Sequence, residues 1–189
     1  MSTFPILETP RLSLREIVAT DCEALFAIHG DAERMKWFGN DPLPDLQAAE
    51  KLVTTFSGWR EMPNPGTRWG IDIKGRPGLV GTCGLFSWNR GWRKCTLGYE
   101  LARAAEGQGY MSEALSTVIN WGWSEMALNR IEAQVHPENM KSISLLENLG
   151  FVAEGKLRQV GFWGGSFHDM VQYSLLNQDW ARHDATSAA

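Results

Sequence analysis

The chain reads as an α+β fold in which helices cover both faces of a mixed sheet. Two observations lead there. The hydrophobic period switches between two and 3.6 along the chain, giving the order strand, two helices, three strands, helix, strand, helix, two strands. No internal repeat or linker breaks the 189 residues. One domain over residues 1–180 is therefore expected, followed by a small, polar, disordered tail at 181–189.

The first strand is read from Arg11 to Ile17, where Leu12, Leu14 and, less regularly, Ile17 alternate with polar residues. Thr20-Asp21 offers an N-cap for a helix from Asp21 to His29, closed by Gly30. A second helix spans Leu46 to Trp59 and stops at Met62-Pro63-Asn64-Pro65-Gly66. Three strand segments follow, Thr67–Ile73, Gly78–Phe86 and Lys94–Leu101, as an antiparallel meander. In the last, Cys95, Leu97, Tyr99 and Leu101 share one face, and Thr96, Gly98 and Glu100 the other.

From Met111 the period becomes helical, with Ala114, Leu115, Val118, Ile119 and Met126 on one side. Ile131 to Val135 alternates again. Asn139 to Leu149 is helical, with Met140, Ile143, Leu146 and Leu149 on one side and Gly150 as the stop. Phe151–Phe162 and His168–Leu176 are strands flanking the turn at Gly164-Gly165.

Composition narrows the function. A hydrophobic share of 43% with 21% charged residues is that of a globular chain. A net charge of −4 leaves no basic excess for nucleic-acid phosphates. Cys22, Cys83 and Cys95 form an odd set with no C-x-x-C spacing, as in a reducing cytoplasm. No apolar run is long enough to span a membrane, and the N-terminus lacks a basic and then apolar leader. A cytoplasmic protein with no metal and neither nucleic-acid nor membrane partners is expected; a homodimer is left open. The nine tryptophans serve mainly as packing residues, with a few available to line an apolar cleft.

The stretch Arg103-Ala-Ala-Glu-Gly-Gln-Gly-Tyr-Met-Ser112 carries the chemistry. It follows a strand and opens a helix. First-turn amides lack intrahelical partners, the helix dipole adds positive charge there, and glycine removes a blocking Cβ. Gly107-Gln108-Gly109 is thus either a plain turn or a backbone cradle for an anion. A dinucleotide fingerprint needs a third glycine where Ser112 stands, and a P-loop needs a lysine where Tyr110 stands.

The run of strand, GQGYMSEAL, strand IEAQVHPEN and helix NMKSISLLENLGF resembles the GCN5-related N-acetyltransferases (GNAT). The opening ETPRLSLREIVATDCEALF resembles the branch named for the ribosomal-protein acetyltransferases RimJ and RimL. The similarity runs from about Thr9 to Leu176. It implies a mixed, mostly antiparallel seven-stranded sheet with about four helices, splayed between its fourth strand, Lys94–Leu101, and its fifth, Ile131–Val135. It further implies acetyl-CoA as acyl donor and a small-molecule or peptide amine as acceptor: a protein N-terminal α-amine or an amino-acid-like metabolite. The pantetheine arm lies in the splay. The pyrophosphate sits on Gly107, Gln108, Gly109, Tyr110, Met111 and Ser112, with Arg103 beside them and Asn139 on the cofactor's arm. The family pattern Q/R-x-x-G-x-G/A is departed from at Ala104, which supplies no polar side chain.

Amine acetylation needs a proton acceptor, an oxyanion donor and a partner for the leaving thiolate. The resemblance places the oxyanion donor on a backbone N–H near Leu101 or Ala102. Glu100 is the candidate base, directly or through water, or else a salt-bridged strand glutamate. Asp169, His168 and His136 are weaker candidates. The glutamate that some Rim enzymes use on the sixth strand is absent, since Gly161 aligns there. The tyrosine acid of many GNAT enzymes is replaced by Leu146, and the resemblance gives the acid role to Ser142, which is also a plausible ordinary helix-start residue. A non-catalytic acyl-CoA-binding or interaction module on the same fold is the alternative.

Overall fold

The computed structural model describes residues 3–63 and 65–180; the expected tail at 181–189 lies outside them, as does Asn64. The elements are β1 (Leu7–Glu8), β2 (Leu12–Arg15), α1 (Cys22–His29), α2 (Ala32–Met35), α3 (Leu46–Gly58), β3 (Thr67–Ile73), β4 (Arg76–Asn89), β5 (Lys94–Leu101), α4 (Tyr110–Glu125), β6 (Arg130–Val135), α5 (Met140–Asn148), β7 (Val152–Trp163) and β8 (Ser166–Leu176).

The strands form one sheet of eight, in the order β1-β2-β3-β4-β5-β6-β8-β7. Every neighbouring pair is antiparallel except β5–β6. The extra strand is β1, whose two residues are too few to show a period. α2 was missed for the same reason; Asp31 caps its four residues by accepting from the Glu33 amide at 3.0 Å. Asp45 does likewise for α3, accepting from Ala48 at 2.8 Å.

Three expectations change. Asp21 stands at the N-cap position of α1 but accepts from no amide of that helix: its carboxylate takes both terminal nitrogens of Arg15, at 2.7 and 2.8 Å, and the Val18 amide of the turn before it. Ile17 lies past the end of β2 and packs under α1 instead. Met140, expected on the apolar side of α5, is 62% exposed because it sits at the first helical position, beyond the sheet's cover.

Two apolar layers sandwich the sheet. On one face, Leu12, Leu14, Trp69, Ile71, Leu85 and Leu97 pack against Met111, Leu115, Val118 and Ile119 of α4 and Leu146 of α5. Each fully buried aliphatic side chain contributes about 1.5–3 kcal/mol. On the other face, Ile17, Leu25, Ile28, Val53 and Phe56 seat α1 and α3. Cys22, Cys83 and Cys95 are free and buried, the last two within the first layer.

One irregularity positions everything that follows. The β5–β6 ladder runs only from Lys94–Arg130 to Thr96–Glu132. Beyond it both strands continue, to Leu101 and Val135, without pairing. Glu132 clasps the closed end, taking Lys94 at 3.0 Å and Arg130 at 2.8 Å.

Candidate active site

A cavity of about 1820 Å³ occupies the split, bordered by residues on both faces of β5. It therefore crosses the sheet. Strand alternation sends Leu97, Tyr99 and Leu101 towards α4 and α5, and Thr96, Gly98 and Glu100 towards α1 and α3.

On the α4 side the glycine stretch has the form of a cradle. Gly107 and Gly109 have φ of +73° and +75°, a region that strains any other residue. A Cβ at Gly107 would meet nothing within 4 Å, and one at Gly109 would meet only Arg11 Nη2 at 3.4 Å. The space in front of the loop is open. Gly109 is the N-cap of α4 and offers no side-chain cap, so the amides of Tyr110, Met111 and Ser112 remain available to an anion. Gln108 turns its side-chain amide back onto the Ala104 carbonyl, 3.3 Å away. The Ala104 departure thus leaves the backbone cradle whole. Arg103 is exposed beside it.

Sequence reasoning missed what fixes this loop. Arg11 donates to the Gln108 carbonyl (2.9 Å) and to Glu113 (2.6 Å), and its guanidinium lies 4.7 Å over the Tyr110 ring. Thr9 also donates to Glu113, at 2.5 Å. The signal was a strand arginine a hundred residues from its partner, which no local spacing reveals.

Further along the same side, Asn139 caps α5, its Oδ1 accepting the Ser142 amide at 3.2 Å. Ser142 Oγ lies 2.6 Å from the Tyr99 hydroxyl. Burial pushes the Tyr99 phenol up to about 12, so it keeps its proton, and either hydroxyl can donate in this contact. Leu146, where a family tyrosine would stand, is fully buried in the core. A phenol nevertheless reaches the site, from β5.

The backbone of β5 narrows the oxyanion donor. The Ala102 amide is bonded to the Val80 carbonyl at 2.7 Å, which removes it as a donor. Antiparallel alternation then points the Tyr99 and Leu101 amides away from β4 and into the split. Leu101 remains, its own carbonyl held by Arg34 of α2.

On the α1 side Glu100 is almost fully buried. It accepts from Arg68, Thr82 and His29, the last at 3.1 Å. Burial alone would raise its pKa, but Arg68, His29 and Thr82 together hold it below the ordinary carboxylate range. Glu100 is a fixed anion, and a weak proton acceptor on its own. Arg68 is in turn stacked over Phe56 at 4.8 Å. Met35, Trp37, Phe38, Trp59 and Phe86 continue the wall.

The weaker candidates are not among the residues bordering the cavity, though His136 and His168 pack against its Trp37 and Trp163. His168 sits within β8, stacked on Trp163 at 3.7 Å. His136 stacks on Trp37 at 4.2 Å, and burial lowers its pKa. Asp169 is paired with Lys156 at 2.6 Å. Among the described residues no group of three His, Cys, Asp or Glu is placed to hold a metal ion, and no helix is long and apolar enough to cross a membrane.

A helix-start cradle opening onto a split between parallel strands defines an acyl-CoA-dependent transferase. Residues 11–152 match the acetyltransferase (GNAT) domain family, and the chain belongs to that family. It is 35% identical over 173 residues to the uncharacterized N-acetyltransferase YoaA of Bacillus subtilis, covering 92% of this chain and 97% of that one. It is 32% identical over 103 residues to the ribosomal protein uS5-alanine N-acetyltransferase of Escherichia coli, covering 54% and 53%. The fold matches spermidine N-acetyltransferase from Vibrio cholerae, solved with CoA and spermine, at a TM-score of 0.79 and 21% identity, covering 92% and 99%. The protein is an N-acetyltransferase, related to the RimJ and RimL enzymes, that uses acetyl-CoA.

Proposed function

We propose that this enzyme acetylates a primary amine borne on an apolar body, at a peptide N-terminus or on a small molecule. The observation that carries this is the acceptor side of the cavity. Met35, Trp37, Phe38, Trp59 and Phe86 border it, while three of its five carboxylates, Glu100, Glu106 and Asp41, are already engaged. Glu100 is paired with Arg68, Glu106 with Arg34 and Lys141, and Asp41 accepts from the Gly164 amide. A polyamine needs free carboxylates along its length; an apolar amine needs only a wall and one polar end.

The residues divide the work across β5. Gly107 to Ser112 hold the pyrophosphate on backbone amides, with Arg103 adding charge at the rim and Asn139 facing the arm. When bound, acetyl-CoA supplies an activated acetyl thioester. Leu101 N–H donates to the oxygen on which negative charge gathers. Glu100 supplies the negative charge of the proton-accepting group on the amine's side. Ser142, oriented by Tyr99, donates a hydrogen bond to the departing sulfur. The negative charge of Glu100 and the hydroxyl of Ser142 thus lie beside opposite faces of β5.

A thiol-release assay with acetyl-CoA tests the acceptor class. Phenethylamine and an alanine-terminated peptide are expected to exceed spermidine in kcat/KM by on the order of tenfold. A preference for spermidine would overturn the reading.

A further inference from the structure

Resting on the amine-acetylation reading above, we propose that His29 is the group that takes the acceptor's proton, and that Glu100 acts through it as a positioning residue. His29 is the last residue of α1, borders the cavity, and its side chain is 3% exposed. Its Nε2 lies 3.1 Å from Glu100 Oε1. An ionised carboxylate only accepts hydrogen bonds, so Nε2 carries the proton of that contact. Neutral His29 then holds its lone pair on Nδ1. Among the described residues no group is bonded to Nδ1.

Glu100 is poorly placed to do this itself. Its two oxygens already accept from three donors, on His29, Thr82 and Arg68. That arrangement suits a carboxylate that fixes an imidazole's tautomer and offsets the charge the ring gains. Phe38 fixes the ring further with an edge contact at 5.2 Å. The C-terminal end of α1 also favours a cation at this position. The charged groups around the ring are Glu100 from β5 and Arg68 from β3 behind it. Along the cavity stand Glu33 and Arg34 from α2, and Asp41 from the segment after it.

The step balances as follows. His29 Nδ1 accepts the amine proton as the nitrogen lone pair forms the C–N bond. The C–S bond breaks with its electron pair on sulfur, where Ser142 donates a hydrogen bond. The imidazolium returns its proton to solvent.

The test pairs kinetics with spectroscopy. His29→Gln keeps a donor for Glu100 and has no base. With phenethylamine and the alanine-terminated peptide as probes, kcat/KM is expected to fall about 100-fold. The Kd for CoA should stay unchanged, which a merely structural role would not predict. A variant with wild-type kcat/KM overturns the proposal. Nitrogen-15 NMR of the wild type gives an acceptor-independent arm: an Nε2–H tautomer for His29 supports the proposal and an Nδ1–H tautomer overturns it. If the wild type acetylates neither probe, the acceptor reading fails and the tautomer alone decides this one. The tautomer likewise decides should His29→Gln fail to fold.

Discussion

Gly109 holds a left-handed backbone with open space before it, so two separate penalties attend any side chain there. Gly109→Val forces a β-branched residue into φ of +75° and fills the anion's approach. CoA binding measured by calorimetry should weaken by at least about tenfold. Gln108→Ala should change it by no more than about twofold, because that side chain already faces Ala104. Ser142→Ala removes the hydroxyl facing the thiol side and leaves the cradle intact. Its kcat should drop about tenfold while the Kd for CoA holds. At this scale the sequence was only partly legible. Glycines before a helix, and Asn139 with Ser142, are local patterns. Tyr99, Arg68 and His29 come to the site across the sheet, and nothing in their neighbours' spacing announces it.

At the scale of elements, α4 links stability to the site. Its buried face, Met111, Ala114, Leu115, Val118 and Ile119, is the face the sequence predicted. Leu115→Ala should cost about 2–5 kcal/mol in denaturant unfolding, since it empties a fully buried position. CoA affinity of the folded fraction should persist, because the cradle is backbone held by Arg11 and Glu113 at the helix start. The split itself was legible only through family resemblance. Alternation located β5 and β6, yet no period in either strand says where their pairing ends. β1 and α2 escaped because two and four residues are too short for any period. Asp21 stands at the N-cap position of α1, as expected, but Arg15 from β2 and the Val18 amide take its carboxylate in place of the helix's own amides.

For the whole molecule, several carboxylates link folding to pH. Desolvation alone would raise the pKa of Glu100, Glu106 and Glu113, but hydrogen bonds and basic partners hold each below the ordinary 4.5. A depressed folded value means the stabilisation is complete above the unfolded value and is lost as pH falls through the folded one. The melting temperature should therefore change little, as far as these groups decide it, between pH 7 and about pH 5, and fall below about pH 4.5. A melting temperature that rose on acidification below that point would contradict the assignment of these groups as native anions. The overall sandwich was readable because its two layers are written in period; the depth of the site was not, because it lies where the sheet's period fails.

The most direct measurement is a crystal structure with CoA bound. The pyrophosphate is expected within hydrogen-bonding distance of the Gly109 to Ser112 amides, with the arm passing between β5 and β6 beside Asn139 and the sulfur near Ser142. A pyrophosphate away from those amides, or an arm that bypasses the split, would contradict the site described here.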